Sequence, residues 1–252
     1  MKYTVITGAS SGIGYEAALA FASRGKNVVL VARRKDQLEE LKSEIARIHP
    51  DVDVVIRAAD LSVSENVYKL YENLQEFPIE TWINNAGFGN FASVGTQDLN
   101  KIETMLHVNI EALTVLSSLF ARNYSNVEGT QLINVSSGGG YTIVGNAITY
   151  CATKFYVSAF TEGLSHELKS QGAHMQAKVL APAATETEFA KRAFDLNEFE
   201  YHGTVPKFHT AKEMAGFMLD LYDSDKVVGV VDGMTYEFEL RDAIFPYVER
   251  TR

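Results

Sequence analysis

Tyr150 and Lys154 stand four positions apart in a stretch with helical periodicity, so their side chains are predicted to share one helix face. A neighbouring ammonium favours the phenolate and lowers the pKa of a tyrosine from its usual value of about 10. A phenol tuned in this way can donate or accept a proton near neutral pH. Ser137 ends a predicted strand upstream of this helix, where its hydroxyl can hydrogen-bond a reacting oxygen. These three residues predict a site of acid–base catalysis.

The spacing Tyr-x-x-x-Lys occurs again at Tyr222 and Lys226, where we expect only a helix C-terminus with a favourable cation. The serine at the upstream strand end distinguishes the first instance from the second. Cys151 lies beside Tyr150 and is either a reactive thiol or a small buried packing residue. A lone cysteine of this kind favours the packing role.

A glycine-rich turn follows the apolar run Tyr3–Thr7 and opens an amphipathic stretch. The start of a helix has unpaired N–H groups, and the helix dipole favours negative charge there. The turn is therefore predicted to bind the pyrophosphate of a dinucleotide, although glycines here would also serve close packing of helix on sheet. The candidate binding residues of the turn are Gly8, Ser10, Ser11, Gly12, Ile13 and Gly14.

The second predicted strand ends at Ala32 and is followed by Arg33 and Arg34. An NAD site normally has an acidic residue at this strand end, which bonds the ribose 2′-hydroxyl. A carboxylate would repel a 2′-phosphate, whereas a guanidinium binds it through several donors. The sequence therefore predicts NADP(H) as the cofactor, with Arg33 as the main ligand and Arg34 or Ser11 assisting.

Apolar runs of strand length alternate with helical periodicity along the whole chain. The predicted strands are Tyr3–Thr7, Asn27–Ala32, Val52–Ala58, Thr81–Asn84, Gln131–Ser136, Met175–Ala181 and Val227–Val231. The predicted helices are Gly12–Arg24, Asp36–Ile48, Ser64–Leu74, Leu99–Asn123, Thr149–Gln171 and Thr210–Tyr222, with capping boxes at Asp36, Ser62 and Thr210. This alternation predicts one α/β domain over residues 1–252: a doubly wound, Rossmann-type fold with a parallel seven-stranded sheet and helices on both faces.

Composition excludes several classes of partner. A net charge of −9 argues against nucleic acid, which needs a basic surface. The single cysteine and the absence of a His-Glu-x-x-His motif argue against a metal site. No apolar run approaches the roughly 18 residues of a membrane span. The first strand begins almost at Met1, so we expect a cytoplasmic protein without a signal peptide or membrane contact.

Residues 187–209 are aromatic and charged, without clean periodicity. Loops of this length in compact domains are usually lids or binding loops. We predict a lid that is mobile without ligand and that brings Phe189 and Phe194 over an apolar substrate when it closes. The aromatic side chains could equally pack within the lid itself.

Taken together, these motifs resemble the short-chain dehydrogenase/reductase family, in its single-domain branch of about 250 residues. The resemblance runs from Met1 to about Val231. It is carried by the glycine-rich turn, Asp60-Leu61, Asn84 to Gly87, Asn109, Ser137, Tyr150, Lys154 and the segment Pro182 to Thr187.

The resemblance implies hydride transfer between a nicotinamide and a carbonyl or alcohol carbon. Tyr150 would be the general acid or base, Lys154 would hold the nicotinamide ribose, and Ser137 would orient the substrate oxygen. Asn109 would fix a water that links Lys154 to solvent as a proton relay, or would only cap or kink its helix. The family also implies a homodimer or homotetramer formed by the helices Leu99–Asn123 and Thr149–Gln171.

Further cofactor contacts are implied by the same resemblance. They involve Asp60 and Leu61 at the adenine, Asn85, Ala86 and Gly87 at the adenosine half, and Pro182, Thr185 and Thr187 at the nicotinamide. Asp60 could also cap the following helix, and Asn85 to Gly87 could simply form a turn. Two segments depart from the family: Ala183 stands where a glycine is usual, and Asp232–Arg252 matches no family pattern.

The function predicted from these observations is an NADP-dependent oxidoreductase acting on a ketone, aldehyde or secondary alcohol. One alternative is a 3-oxoacyl-carrier-protein reductase, although a net charge of −9 disfavours docking of an acidic carrier. The other alternative is a non-catalytic NADP(H)-binding sensor or scaffold. The intact set of Ser137, Tyr150 and Lys154 argues against that alternative.

Overall fold

The apolar runs predicted as strands form a central sheet. The computed structural model describes residues 2–249, so Met1 and residues 250–252 of the predicted domain lie outside the described residues. The ten strands of the described part are β1 (Tyr3–Thr7), β2 (Asn27–Ala32), β3 (Val54–Ala58), β4 (Ile79–Asn84), β5 (Gln131–Val135), β6 (Gln176–Ala181), β7 (Thr185–Glu186), β8 (His209–Thr210), β9 (Val228–Val231) and β10 (Phe238–Arg241). The single-domain organisation stays a prediction.

Eight of these strands make one sheet, in the order β10-β9-β6-β5-β4-β1-β2-β3, and β7 pairs with β8 separately. Every neighbouring pair of the large sheet is parallel except β10 with β9. The predicted fold class is confirmed, and the predicted count of seven strands is corrected to eight. The additional strand, β10, has only four residues, which is too few for its period to be recognised in the sequence.

Helices cover both faces of the sheet. They are α1 (Gly12–Ser23), α2 (Lys35–Ile48), α3 (Ser64–Glu72), α4 (Leu99–Leu106), α5 (Leu113–Tyr124), α6 (Ile148–Ser170), α7 (Phe189–Ala193) and α8 (Ala211–Asp223). The predicted strands and helices are all present, with outer ends shifted by at most two residues, but the helix predicted as Leu99–Asn123 is divided into α4 and α5. The short helix α7 was not predicted, because five residues show little periodicity.

Alternation along the buried strands divides the core into two layers. Val5 and Val29 face the layer under α3 and α5, which contains Trp82. Ile6 and Leu30 face the opposite layer, under α1, α2 and α8. Both faces of β1 and β2 are buried, which is why these strands appear as continuous apolar runs.

The predicted helix Leu99–Asn123 is interrupted by a wider, π-helical stretch at His107–Ala112, between α4 and α5. Over the described residues, one helical stretch, Leu99–Tyr124, is long and apolar enough to cross a membrane, since a window of 18 residues within it has a mean hydropathy of 1.3. It was not expected, because polar residues such as Glu111 interrupt the apolar run. A core helix of a globular protein satisfies the same criteria, so the absence of a membrane segment and a cytoplasmic location stay predictions.

One of the three predicted capping boxes is correct. The Thr210 hydroxyl accepts from Glu213 N at 3.1 Å, and the Glu213 carboxylate accepts from Thr210 N at 2.8 Å. The box at Ser62 is wrong, because its hydroxyl donates to Asp60 Oδ1 and α3 begins two residues later. The box at Asp36 is also wrong, since this residue lies within the first turn of α2.

The carboxyl end of α8 is capped by a lysine of strand β6 and not by Lys226, as the sequence predicted. Lys178 of β6 is 1% exposed, and its Nζ donates to the carbonyls of Leu221, Tyr222 and Ser224 at 3.0, 3.0 and 2.6 Å. Lys226, which the sequence had indicated as the cation at this helix end, pairs with Asp242 at 3.1 Å instead. A helix C-terminus has unpaired carbonyls, and a buried ammonium satisfies several of them at once.

The segment after β9 turns back and packs on the domain. Phe238 of β10 stacks on Phe217 of α8, with ring centroids 4.4 Å apart. The chain beyond β10 then lies along α6, where buried Glu162 accepts from the N–H groups of Ile244 and Phe245 at 2.5 and 2.8 Å. The described part of this segment, residues 232–249, which had no interpretation from the sequence, therefore packs against α6 and α8.

Candidate active site

A cavity of about 940 Å³ opens at the carboxyl ends of the strands. It extends from the glycine-rich turn and Arg33 to Ser137 and Tyr150, and residues of the predicted lid also line it. This volume lies near the upper end of the range for small-molecule sites, which is about 300–1,000 Å³. The parallel sheet brings the predicted site residues together here because its strand ends meet at one edge.

The glycine-rich turn has the conformation and the close contacts that require glycine. Gly8 and Gly12 have φ angles of +69° and +58°, a region that other residues rarely adopt. A Cβ on Gly14 would collide with the Gly8 carbonyl and with the side chain of Asn85. Ser11 is the N-cap of α1, but its hydroxyl makes no capping hydrogen bond. It therefore does not occupy the N–H groups of the first helical turn. The turn therefore fits a diphosphate.

The end of β4 is bonded to the end of β1. Thr7 Oγ1 accepts from the N–H groups of Asn85 and Ala86, both at 3.0 Å, and Asn85 Nδ2 donates to Thr7 O at 2.9 Å. These bonds hold the segment Asn85 to Gly87 against the glycine-rich turn, and its support of the adenosine half of a cofactor stays a prediction.

Tyr150 is 7% exposed and lines the cavity together with Ser137. Burial raises the pKa of Tyr150 above its usual value, and hydrogen bonding to Ser137 opposes this rise only in part. The expectation that Lys154 lowers this pKa is therefore wrong for this structure. The phenol is held in its protonated form, beside the hydroxyl that was predicted to orient the substrate oxygen.

Lys154 is 5% exposed, and its Nζ donates to Val135 O at 2.9 Å. The ammonium lies 5.9 Å from the centroid of the Tyr150 ring and is directed at the strand carbonyl rather than at the phenol oxygen. This orientation explains why it does not lower the pKa of Tyr150. Burial lowers the pKa of Lys154 itself to about 8.

Asn109 lies in the π-helical stretch and is 1% exposed. Its amide donates to Phe88 O at 2.9 Å and to Thr153 Oγ1 at 3.1 Å, and its oxygen accepts from Phe88 N at 3.1 Å. Asn109 thus holds the loop after β4 against α6. The helix irregularity was one of the two alternatives for this residue, and the water relay stays a prediction.

The predicted adenine end of the cavity is formed by a hydrogen-bonded turn at Asp60 and by two arginines. Asp60 Oδ1 accepts from Ser62 N at 3.0 Å, so it stabilises the turn before α3, while Leu61 is 7% exposed at the cavity. Arg33 is exposed and lines the same end. Arg34 is half-buried, and its Nη2 donates to Ser11 Oγ at 2.8 Å.

The segment after β6 reaches back to the glycine-rich turn. Pro182 O accepts from Gly138 N at 2.7 Å. Ala183, in the position of a usual glycine, is not among the described residues with positive φ, so this departure causes no strain there. Thr185 is 8% exposed, and a Cβ on Gly12 would lie 2.9 Å from Thr187 Cγ2, so Thr187 packs directly on the turn.

An aromatic wall, defined here as Phe91, Phe189 and Phe194, closes the other end of the cavity. Phe189 lies 5.3 Å from the Tyr150 ring, and Phe194 lies 4.9 Å from Phe91, measured between centroids. Phe189 and Phe194 were predicted as substrate residues. Phe91 was missed, although an aromatic residue soon after the Asn-Ala-Gly end of β4 was the signal that could have indicated it.

Cys151 borders the cavity next to Tyr150, but its side chain is packed and hydrogen-bonded. It is 1% exposed, and its Sγ accepts from Val144 N at 3.4 Å. These contacts support the packing role expected from the sequence.

Comparison with known proteins gives consistent results. The family model for short chain dehydrogenase matches residues 2–198. The chain is 30% identical over 200 residues to dehydrogenase/reductase SDR family member 11 of Homo sapiens, covering 77% of each. Among solved structures, it superimposes on a short-chain dehydrogenase from Sphingobium yanoikuyae in complex with NADPH, with a TM-score of 0.83, 31% identity and coverage of 91% of this chain and 87% of that one. A bulky-bulky ketone specific alcohol dehydrogenase from Comamonas testosteroni gives a TM-score of 0.79 at 27% identity, covering 91% and 86%.

Proposed function

The chain belongs to the short-chain dehydrogenase family, whose members are oxidoreductases, and we propose from this that it is an NADP(H)-dependent enzyme that interconverts a ketone or aldehyde with the corresponding alcohol. The observation that carries the proposal is one cavity with arginines at one end and the buried Tyr150 beside Ser137 at the other. The NADPH complex of the Sphingobium relative supports the choice of cofactor.

The residues of the cavity fit NADP(H) along its length. The glycine-rich turn would hold the pyrophosphate, Arg33 and Arg34 the 2′-phosphate, and Asp60 with Leu61 the adenine. Lys154 would hold the nicotinamide ribose and Thr187 the carboxamide. The bound cofactor would supply or accept the hydride.

Tyr150 acts as the general acid in the direction of reduction. Because burial raises its pKa, the phenol keeps its proton at neutral pH and transfers it from Oη to the carbonyl oxygen of the substrate. Ser137 donates a hydrogen bond to the same oxygen and so fixes the acceptor beside the phenol. In oxidation, Tyr150 takes the proton back from the alcohol.

The substrate side of the cavity favours a bulky, apolar carbonyl compound. Its aromatic wall presents the rings of Phe91 and Phe189 to Tyr150. The ketone specificity in the name of the Comamonas relative supports this class. A carrier-bound 3-oxoacyl substrate is a weaker candidate, because a net charge of −9 repels an acidic carrier.

The test is Tyr150→Phe, assayed with NADPH and an aryl ketone. We expect kcat to fall by roughly 100-fold or more, because the proton donor is lost, while the Kd for NADPH changes less than about twofold. Tyr68→Phe, at a tyrosine that is 48% exposed, is the matched control and should keep the parental rate. A Tyr150→Phe enzyme with the parental rate would show that the chemistry lies elsewhere.

A further inference from the structure

Four charged residues meet where the predicted lid crosses the adenine end of the cavity. Arg34 Nη2, which is bonded to Ser11, also lies 3.2 Å from Ser10 Oγ and 3.0 Å from Glu188 Oε2. Glu188 belongs to the lid and precedes α7. The same carboxylate oxygen lies 2.5 Å from Arg192 Nη2, one helical turn later. One carboxylate of the lid thus joins an arginine of the cofactor site to an arginine of α7.

The cluster has more positive charge than its carboxylate can balance. Arg33, Arg34, Glu188 and Arg192 all line the cavity, which leaves a net charge of +2 among them. Partial burial and the positive charges of Arg34 and Arg33 lower the pKa of Arg192, while Glu188 opposes this effect. Arg192 is therefore close enough to the other two arginines to be repelled by them. A second negative group of the right size would relieve this repulsion.

The backbone of α7 is fixed at this place by contacts to two other elements. Lys101 of α4 donates from Nζ to Arg192 O at 3.0 Å and to Asp195 Oδ1 at 2.6 Å. Phe91 N donates to Ala193 O at 2.9 Å. Arg192 is thus presented to the arginines after β2 by a short helix that is tied to the body of the protein.

We propose that Arg192 is a third arginine of the 2′-phosphate site, contributed by the lid, and that Glu188 competes with the phosphate for Arg34 and Arg192. The inference rests on the proposed function, since it concerns the phosphate that distinguishes NADP(H) from NAD(H). A phosphate monoester has about two negative charges and three acceptor oxygens, so it satisfies more guanidinium donors than a carboxylate does. It displaces Glu188 from both arginines, and the affinity for NADP(H) is the balance of these two interactions.

The experiment measures Kd by titration calorimetry for NADPH, NADH and adenosine 2′,5′-bisphosphate, which has the 2′-phosphate but no nicotinamide. Arg192→Ala is expected to weaken NADPH and the bisphosphate by roughly tenfold and to leave NADH within about twofold. Lys191→Ala removes the same charge from the neighbouring exposed position of α7 and should change none of the three. Glu188→Gln should tighten NADPH and the bisphosphate by roughly threefold or more, without an effect on NADH.

The outcomes separate this inference from the proposed function. A parent protein that binds NADH as tightly as NADPH overturns the proposed cofactor and this inference together. A parent that prefers NADPH, with Arg192→Ala weakening neither phosphate ligand or weakening NADH equally, overturns only the role of Arg192. Arg33→Ala serves as the positive control for loss of phosphate binding, and circular dichroism confirms that each variant is folded.

Discussion

Burial acts in opposite directions on the two titratable groups at the centre of the site. For a phenol the neutral form is the acid, so burial raises the pKa of Tyr150. For an ammonium the neutral form is the base, so burial lowers the pKa of Lys154 to about 8. Both groups are therefore stabilised in the uncharged state, and the lysine is the one whose charge changes near physiological pH.

This difference predicts the pH dependence of cofactor binding. Below about pH 8 Lys154 is charged and can hold the ribose, and its charge is lost as the pH rises through that value. We expect the Kd for NADPH to rise up to about tenfold per pH unit above pH 8, while Tyr150 stays protonated throughout. The measurement is the Kd and the reductive kcat/KM from pH 6 to pH 10. Constant affinity up to pH 10 would contradict the assignment.

Residue types and spacing predicted which side chains meet, but not how they are oriented. The four-residue spacing correctly places Tyr150 and Lys154 near one another. Whether the ammonium points at the phenol or at Val135 O depends on where β5 lies relative to α6. The periodicity of the helix alone does not predict that position. In the same way Arg34 was predicted from its place after β2, whereas its partner Glu188 is 154 residues away along the chain.

Lys178 of β6 connects the sheet to the carboxyl end of α8. Replacing it with Met keeps most of the side-chain volume but leaves three carbonyls at the helix end without their donor. Such a loss of buried, charge-assisted bonds costs about 2–4 kcal/mol. We expect Lys178→Met to lower the free energy of unfolding in urea by this amount. Lys226→Met removes a half-exposed lysine of the same region and should leave that free energy nearly unchanged.

Elements were predicted where the pattern extends over enough residues. β2 is a run of six buried residues and α2 has buried Leu38, Leu41 and Ile45 at helical spacing, and both were found from the sequence. The two-residue strands β7 and β8 contain no recognisable period. Their pairing joins the two ends of the lid, and Thr187 next to β7 packs on the glycine-rich turn. The shortest strands therefore hold the part of the site that the sequence predicted least.

For the whole molecule, the outer face of α6 predicts self-association. Ala152, Tyr156 and Ala159 are exposed on this face, and Gly163 continues it with open space where a Cβ would lie. Tyr156 is 37% exposed, so part of a large aromatic ring contacts solvent. A smooth face of small and aromatic residues suits close packing of the same helix from a second copy, which makes a two-fold contact.

We therefore expect light scattering to give twice the 27.9 kDa chain mass or a higher even multiple at micromolar concentration. Ala159→Arg should shift the protein to the monomer, because two guanidinium groups would oppose each other across the axis. Ser170→Arg adds the same charge at the exposed end of α6 and should leave the mass unchanged. A monomeric parent would contradict the predicted assembly.

Strand β10 also has a consequence for how the chain folds without aggregating. Without β10, the four buried residues of β9 would end the sheet with unpaired backbone groups, which is a template for pairing with another chain. β10 pairs with β9 through a short hairpin, so its contacts are local and close with little loss of chain entropy. Its own outer edge is only four residues long and contains Glu239 and Arg241. We therefore expect the hairpin to form early in folding and to cover the edge of β9 while the long-range parallel pairs of the sheet are still forming.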